Sequence, residues 1–174
     1  YVEKFLKRVE SLIFNDPTDA TTKIGPLARV DLAEEIEKQV NASLKKGAVL
    51  KTGGKRAGAK YDATVLTNVT PGMAAFDEEL FGPVAPFIRI KDFDEAIKLS
   101  NQSSFGLGVT ICTGKVDAAL ERVHEFEEGA VFINELVKSD PRLPFGGIKR
   151  SGFGRELGIE GILEFVNAKS VYVK

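Results

Sequence analysis

Hydrophobic spacing changes period repeatedly along this chain, and that alternation limits the available folds more than any single motif does. Val2, Phe5, Leu6, Val9, Leu12 and Ile13 recur at helical intervals and predict an amphipathic first helix. Asn15-Asp16-Pro17 ends it, and a loop runs through Gly25-Pro26. Asp31, with Glu34 three residues on, is placed to cap a second helix. Leu32, Ile36, Val40 and Leu44 follow at four-residue steps, Glu34 is set to pair with Lys38, and Gly47 sits just past the last turn. Residues 48–51, 63–69 and 84–90 read as strands, with Pro86 arguing that the third lies at an edge or a bulge. Asp92 or Asp94 caps a short helix to Ser100, 108–113 is a β-branched strand, 115–127 a helix, and 130–134 a further strand. Repeated exchange of the two periods predicts an α/β fold, a sheet with helices on its faces.

After Asn134 the character changes. Residues 135–155 show little periodicity and hold Pro141, Pro144 and four glycines. A glycine-rich stretch of that length between good elements more often serves function than connection. Helical spacing resumes over 156–166, and 170–173 reads as a terminal strand.

Composition removes several classes of function. Basic and acidic residues number 24 and 25, with no basic stripe, so neither nucleic acid nor a membrane surface is an expected partner. There is no apolar run long enough to span a bilayer and no charged-then-apolar leader. A single cysteine, Cys112, rules out a disulfide framework and a paired-cysteine zinc site, and fits a reducing, cytoplasmic setting. The chain opens without methionine inside helical text, which reads as a fragment, a processed chain or an engineered piece.

Two segments have chemical promise. Asp77-Glu78-Glu79-Leu80-Phe81-Gly82-Pro83 is an acidic-aromatic turn between strands, which on composition alone is a solvated turn over a buried phenylalanine. Pro144-Phe145-Gly146-Gly147-Ile148-Lys149-Arg150-Ser151-Gly152-Phe153-Gly154-Arg155-Glu156 has glycines ahead of a helix, an arrangement able to cradle phosphate through backbone N–H groups. It lacks the spacing of the common phosphate loops, so a tight structural loop and an independent nucleotide site both remain open.

These blocks resemble those of the aldehyde dehydrogenases. Glu78-Glu79-Leu80-Phe81-Gly82-Pro83-Val84 and Pro144-Phe145-Gly146-Gly147 through Gly154-Arg155-Glu156 look like two family signatures. Ile24-Gly25-Pro26-Leu27, Gly53-Gly54 and Gly129-Ala130-Val131-Phe132-Ile133-Asn134 fall between and around them in the family's order. Val137-Lys138-Ser139-Asp140-Pro141-Arg142-Leu143-Pro144 is most similar to prokaryotic succinate-semialdehyde dehydrogenases. The resemblance implies the family's cysteine-bearing catalytic domain over 1–134 without its N-terminal segment. Over 135–174 it implies an active-site loop, a returning helix and a strand that joins a sheet across a homo-oligomer interface.

In the family a cysteine thiolate attacks the aldehyde, and an asparagine amide and the cysteine's own N–H hold the oxyanion. Hydride passes to NAD or NADP, and a glutamate-activated water hydrolyses the thioester. By resemblance Glu79 hydrogen-bonds the ribose on the nicotinamide side, and Phe81 packs near that ring. Ser139 and Phe145 are then substrate-binding, at the distal carboxylate and the tunnel wall, and Glu156 helps relay the proton. The nucleophile, the general base, the oxyanion asparagine and most of the dinucleotide site belong to a segment upstream of Tyr1. The expected function is therefore the C-terminal portion of an NAD(P)-dependent dehydrogenase that oxidises a small aldehyde, succinate semialdehyde by resemblance, to the carboxylate, inactive without its N-terminal part. The alternative is a non-catalytic assembly module. Cys112, on a β-branched strand without a basic neighbour, is expected to be a buried hydrophobe. His124 is expected to be structural at a helix end, and Lys149 and Arg150 to be solvated loop charges. Leu27, Phe76, Leu80 and Phe153 are expected to be exposed without the missing part.

Overall fold

A computed structural model describes residues 1–12 and 14–174. The chain forms two compact units, Tyr1–Ile90 and Lys91–Lys174. The expected functional boundary after residue 134 falls inside the second.

In the first unit, helix α1 (Val2–Glu10) precedes helix α2 (Val30–Lys45). Ile13, expected in the first helix, lies outside the described residues. Strand β1 (Val49–Thr52), the small hairpin β2 (Arg56–Ala57) and β3 (Lys60–Tyr61), strand β4 (Thr64–Thr67), helix α3 (Ala74–Asp77) and strand β5 (Val84–Pro86) follow. The sheet runs β1-β4-β5, antiparallel between the first two and parallel between the last two. Parallel neighbours need a crossover, and α3 lies on the one joining β4 to β5. Pro86, which has no N–H to give to a ladder, is on the edge strand as expected.

Helix α2 lies over this sheet. Ile36, Val40, Ala48, Tyr61, Leu66, Val69, Met73 and Ala75 make the buried core, joined by Leu27, Phe76, Leu80 and Val84. Leu27, Phe76 and Leu80 are thus packed rather than left exposed. Helix α2 begins at Val30 with Arg29 as its N-cap, not at Asp31. The Asp31 carboxylate is taken instead by the Arg29 fork, at 2.9 and 2.7 Å. Glu34 reaches Arg56 at 3.8 Å while Lys38 pairs with Glu35 at 3.7 Å, so the expected Glu34–Lys38 pair does not form. Gly47, at φ 106°, follows the helix in the left-handed region as expected.

In the second unit, Asp92 caps helix α4 (Phe93–Asn101) by accepting from the Glu95 N–H at 2.9 Å. Then come strands β6 (Phe105–Gly106) and β7 (Val109–Ile111), helix α5 (Val116–Leu120), and strands β8 (Val131–Ile133) and β9 (Ile148–Lys149). Helix α6 (Gly158–Leu163) ends the regular structure. β7 and β8 are parallel with α5 as their crossover, and β6 pairs with β9 far along the chain, Phe105 opposite Lys149. Ile97, Ile111, Ala119 and Phe126 form this core. The helix expected over 115–127 is broken: α5 stops at Leu120 and a 3₁₀ turn spans Val123–Glu125. Residues 167–174 pair with nothing among the described residues, and Val171, Tyr172 and Val173 are exposed. A strand expected to add to another subunit's sheet has no ladder to join within one chain.

Candidate functional site

The turn carrying Glu79 and Phe81 runs from α3 into β5 and is held against α2 from three directions. Leu80 points into the core among the residues around Ile36 and Val40. Glu79 and Phe81, on either side of it, are exposed, Phe81 to 69%. The chain turns tightly at Phe81, where the Gly82 N–H donates to the Leu80 carbonyl at 2.7 Å, leaving the carboxylate and the ring both exposed beside the inward leucine. Gly82 seats the turn on the helix: a Cβ there would lie 2.3 Å from Ile36 Cδ1, and Ile36 is buried. The third hold is polar. Gln39 Nε2 donates to Glu78 Oε2 at 2.9 Å and to the Glu79 carbonyl at 3.2 Å. The Glu79 carboxylate makes no hydrogen bond or ion pair among the described residues. The turn therefore has a fixed backbone beneath an unengaged carboxylate and an uncovered aromatic ring.

In the second unit the backbone brings Phe145 and Glu156 together. Each donates its N–H to the other's carbonyl at 2.8 Å, closing residues 146–155 into a loop. Arg155 Nη1 donates to the carbonyls of Gly154 and Gly147, at 2.7 and 3.1 Å, filling that loop from within. Phe145, Glu156, Phe153, Arg155, Glu164 and Phe165 line an open cleft of about 460 Å³. The Glu156 side chain is exposed at its rim, and Phe153 stands wholly exposed, as expected. Leu157, at φ 63° and ψ 174°, occupies a region ordinarily left to glycine. That conformation costs on the order of 1–3 kcal/mol and fixes the exit of the chain beside Glu156.

Ser139 is apart from that cleft, exposed, with no side-chain hydrogen bond among the described residues. Ion pairs brace the chain on both sides of it. Lys138 meets Glu135 at 3.0 Å, and the Arg142 fork meets Asp140 at 2.9 and 2.6 Å. Hydrogen bonds from the Arg142 side chain and N–H hold the Asp140 carboxyl well below the usual carboxylate range.

Three expectations need correction. Cys112 is exposed just past β7, because the strand's alternation turns Ile111 inward and its neighbour outward. Lys149 is not a free loop charge: its ammonium donates to the Asn101 and Ser103 carbonyls at 2.7 and 3.2 Å and pairs with Glu127 at 2.7 Å. Arg150 lies over the Phe105 ring at 5.2 Å, a cation–π contact rather than simple solvation. His124 is exposed in the 3₁₀ turn.

The model of the aldehyde dehydrogenase family matches residues 1–171. The chain belongs to the aldehyde dehydrogenase family. It is 45% identical over 176 aligned positions to succinate-semialdehyde dehydrogenase (NADP(+)) 1 of Mycobacterium ulcerans, covering 99% of this chain and 38% of that protein. The probable succinate-semialdehyde dehydrogenase (NADP(+)) of Synechocystis is also 45% identical, with 39% of its length covered. Among solved structures, an NAD-dependent aldehyde dehydrogenase from Sinorhizobium meliloti superposes with a TM-score of 0.92 at 37% identity, covering 99% of this chain and 35% of that one. The succinate-semialdehyde dehydrogenase of Burkholderia pseudomallei gives 0.88 at 34% identity, over 94% of this chain and 35% of its own. The chain thus spans well under half the length of these family members.

Sequence reasoning missed the residues that hold the family's two signature segments in place. Gln39 interrupts the apolar face of α2, and a lone polar residue in a buried stripe was the available signal. Arg155 and the left-handed Leu157 carried no signal, since neither a carbonyl contact nor a positive φ is written in residue type.

Proposed function

We propose that this chain is the C-terminal portion of an NAD(P)-dependent aldehyde dehydrogenase that oxidises succinate semialdehyde to the carboxylate. The observation that carries the reading is the pinned turn on which the Glu79 carboxylate and the Phe81 ring are both exposed. A carboxylate accepts hydrogen bonds from vicinal ribose hydroxyls, and an exposed ring supplies an apolar face for a nicotinamide, so the pair suits that end of the cofactor. When bound, NAD(P) supplies the hydride acceptor. Glu79 and Phe81 fix that end of it against a backbone that does not yield, and small displacements at a reacting centre are costly in rate.

Phe145 gives the substrate channel an apolar wall. Glu156, exposed beside it, takes and passes a proton at its carboxylate during hydrolysis. Ser139 offers its hydroxyl to the distal carboxylate of the substrate from a loop braced by two ion pairs. The substrate follows the names of the relatives, and both cofactors are carried forward because the relatives and neighbours include NADP and NAD enzymes. The nucleophile, general base and remaining cofactor contacts come from the rest of the polypeptide, in a cytoplasmic homo-oligomer. This chain by itself is inactive.

The test is steady-state oxidation of succinate semialdehyde, with this chain and with the complete polypeptide that carries its sequence. The reading expects formation of reduced nicotinamide from the complete protein only. Turnover by the isolated chain, abolished in Cys112→Ala, would place the nucleophile here and overturn it. Exposed Val171, Tyr172 and Val173 favour a second reading, a non-catalytic assembly module. A complete protein that assembles yet oxidises no aldehyde would support it.

A further inference from the structure

We propose that Gln39 is a positioning residue for the nicotinamide end of the cofactor, acting through the turn that presents Glu79 and Phe81; this rests on the reading above. Gln39 is on the inner face of α2 between Ile36 and Val40 and is only 8% exposed. A leucine would suit that face as well for packing, yet an amide occupies it. Its NH₂ group divides between two acceptors on the turn, the Glu78 carboxylate at 2.9 Å and the Glu79 carbonyl at 3.2 Å. Two bonds from one planar group fix rotation as well as distance, and the second acceptor is the backbone of the cofactor-facing residue itself.

Ser43, one turn further along α2 and fully buried, continues the arrangement. Its hydroxyl donates to the Gln39 carbonyl at 2.9 Å and accepts from the Ala75 N–H at 2.9 Å. α3 and the turn that follows it are therefore both registered on one polar row of α2. Gly82, which brings the turn within 2.3 Å of Ile36 for any added Cβ, prevents compensating movement toward the helix. With the amide gone, Glu78 and the Glu79 carbonyl turn to water and the turn lifts. Glu79 and Phe81 stay chemically intact and lose their aim.

The test uses the complete polypeptide and reads cofactor Kd by reduced-nicotinamide fluorescence, together with KM for aldehyde and thermal unfolding. Gln39→Leu is expected to raise cofactor Kd by roughly tenfold while changing aldehyde KM by less than about twofold, the pattern of a misplaced binding group. Gln39→Glu, which sets carboxylate against carboxylate, is expected to raise it further. Glu78→Ala breaks the same contact from the exposed side and is expected to raise Kd in the same direction, even if the Gln39 variants fail to fold. Glu79→Ala separates the two claims. If it raises Kd while Gln39→Leu and Glu78→Ala leave Kd unchanged, the positioning role is overturned and the cofactor reading stands. If Glu79→Ala leaves Kd unchanged, the cofactor reading falls, and the inference with it.

Discussion

Gly129→Ala tests how the segment carrying Phe145 and Glu156 is seated. Gly129 lies two residues before β8, and its N–H donates to the Gly106 carbonyl at 3.1 Å. A Cβ built there falls 1.8 Å from the Gly146 carbonyl oxygen, 2.9 Å from its carbon and 3.3 Å from the Leu107 oxygen. All three atoms are backbone, so no side-chain rotation relieves the clash. Gly129 is not among the residues with positive φ, which leaves the clash as the whole penalty. Overpacking of this kind costs about 3 kcal/mol. For a chain of this size that lowers the melting temperature by roughly 6–12 °C. Gly114→Ala is the control, because nothing lies within 4 Å of its Cβ and its φ is also not positive. Thermal unfolding followed by circular dichroism reads both variants. Equal melting temperatures for the two would mean that the backbone around Gly129 accommodates a methyl group, against the close approach of Gly146 and Leu107.

Other expectations follow from single groups. Burial, reinforced by the charges of Glu37 and Asp62, pushes the Tyr61 phenol up from 10.0 to about 12. Its folded pKa is raised, so the stability it contributes is complete below pH 10 and is lost as pH rises toward 12. The phenolate difference spectrum between the protein and Tyr61→Phe should show a step only near that upper value, and a step at the ordinary value would contradict the burial. Asp92→Ala removes the α4 cap and should cost about 1 kcal/mol, or roughly 2–4 °C in melting temperature, with no change meaning that the cap is idle. Arg142→Ala should raise the Asp140 carboxyl toward its ordinary 3.8, measured by carboxyl NMR titration. That carboxyl is depressed in the folded chain, so its contribution is present above 3.8 and lost as pH falls through the lower folded value. An unchanged titration in the variant would dismiss the ion pair as its cause.

What was legible in the sequence followed local rules, and what was not depended on partners distant in the chain. The stripe from Leu32 to Leu44 gave α2 its place, and Asp92 its capping role, because both signals repeat within a turn or two. Asp31 failed as a cap for an equally local reason: Arg29, two residues earlier, competes for the same carboxylate. The break after Leu120 was hidden because α-helix and a 3₁₀ turn share nearly the same apolar spacing over so few residues. Pairing of Phe105 with Lys149 and of Phe145 with Glu156 had no local trace. At the candidate site, Glu79, Phe81, Ser139, Phe145 and Glu156 were nominated through family resemblance. Composition alone read the turn from 77 to 83 as solvent-facing with a buried phenylalanine, whereas Leu80 is the residue packed against the core, half-buried, and Phe81 the exposed one.

We propose that Glu79 and Phe81 receive the nicotinamide end of the cofactor. A crystal structure of the complete polypeptide with NADP bound tests it most directly. The expected result is a Glu79 carboxylate oxygen about 2.7–3.2 Å from a hydroxyl of the nicotinamide-side ribose, with Phe81 against the nicotinamide ring. A bound cofactor whose nicotinamide ribose is held elsewhere, with Glu79 turned to solvent, would contradict it.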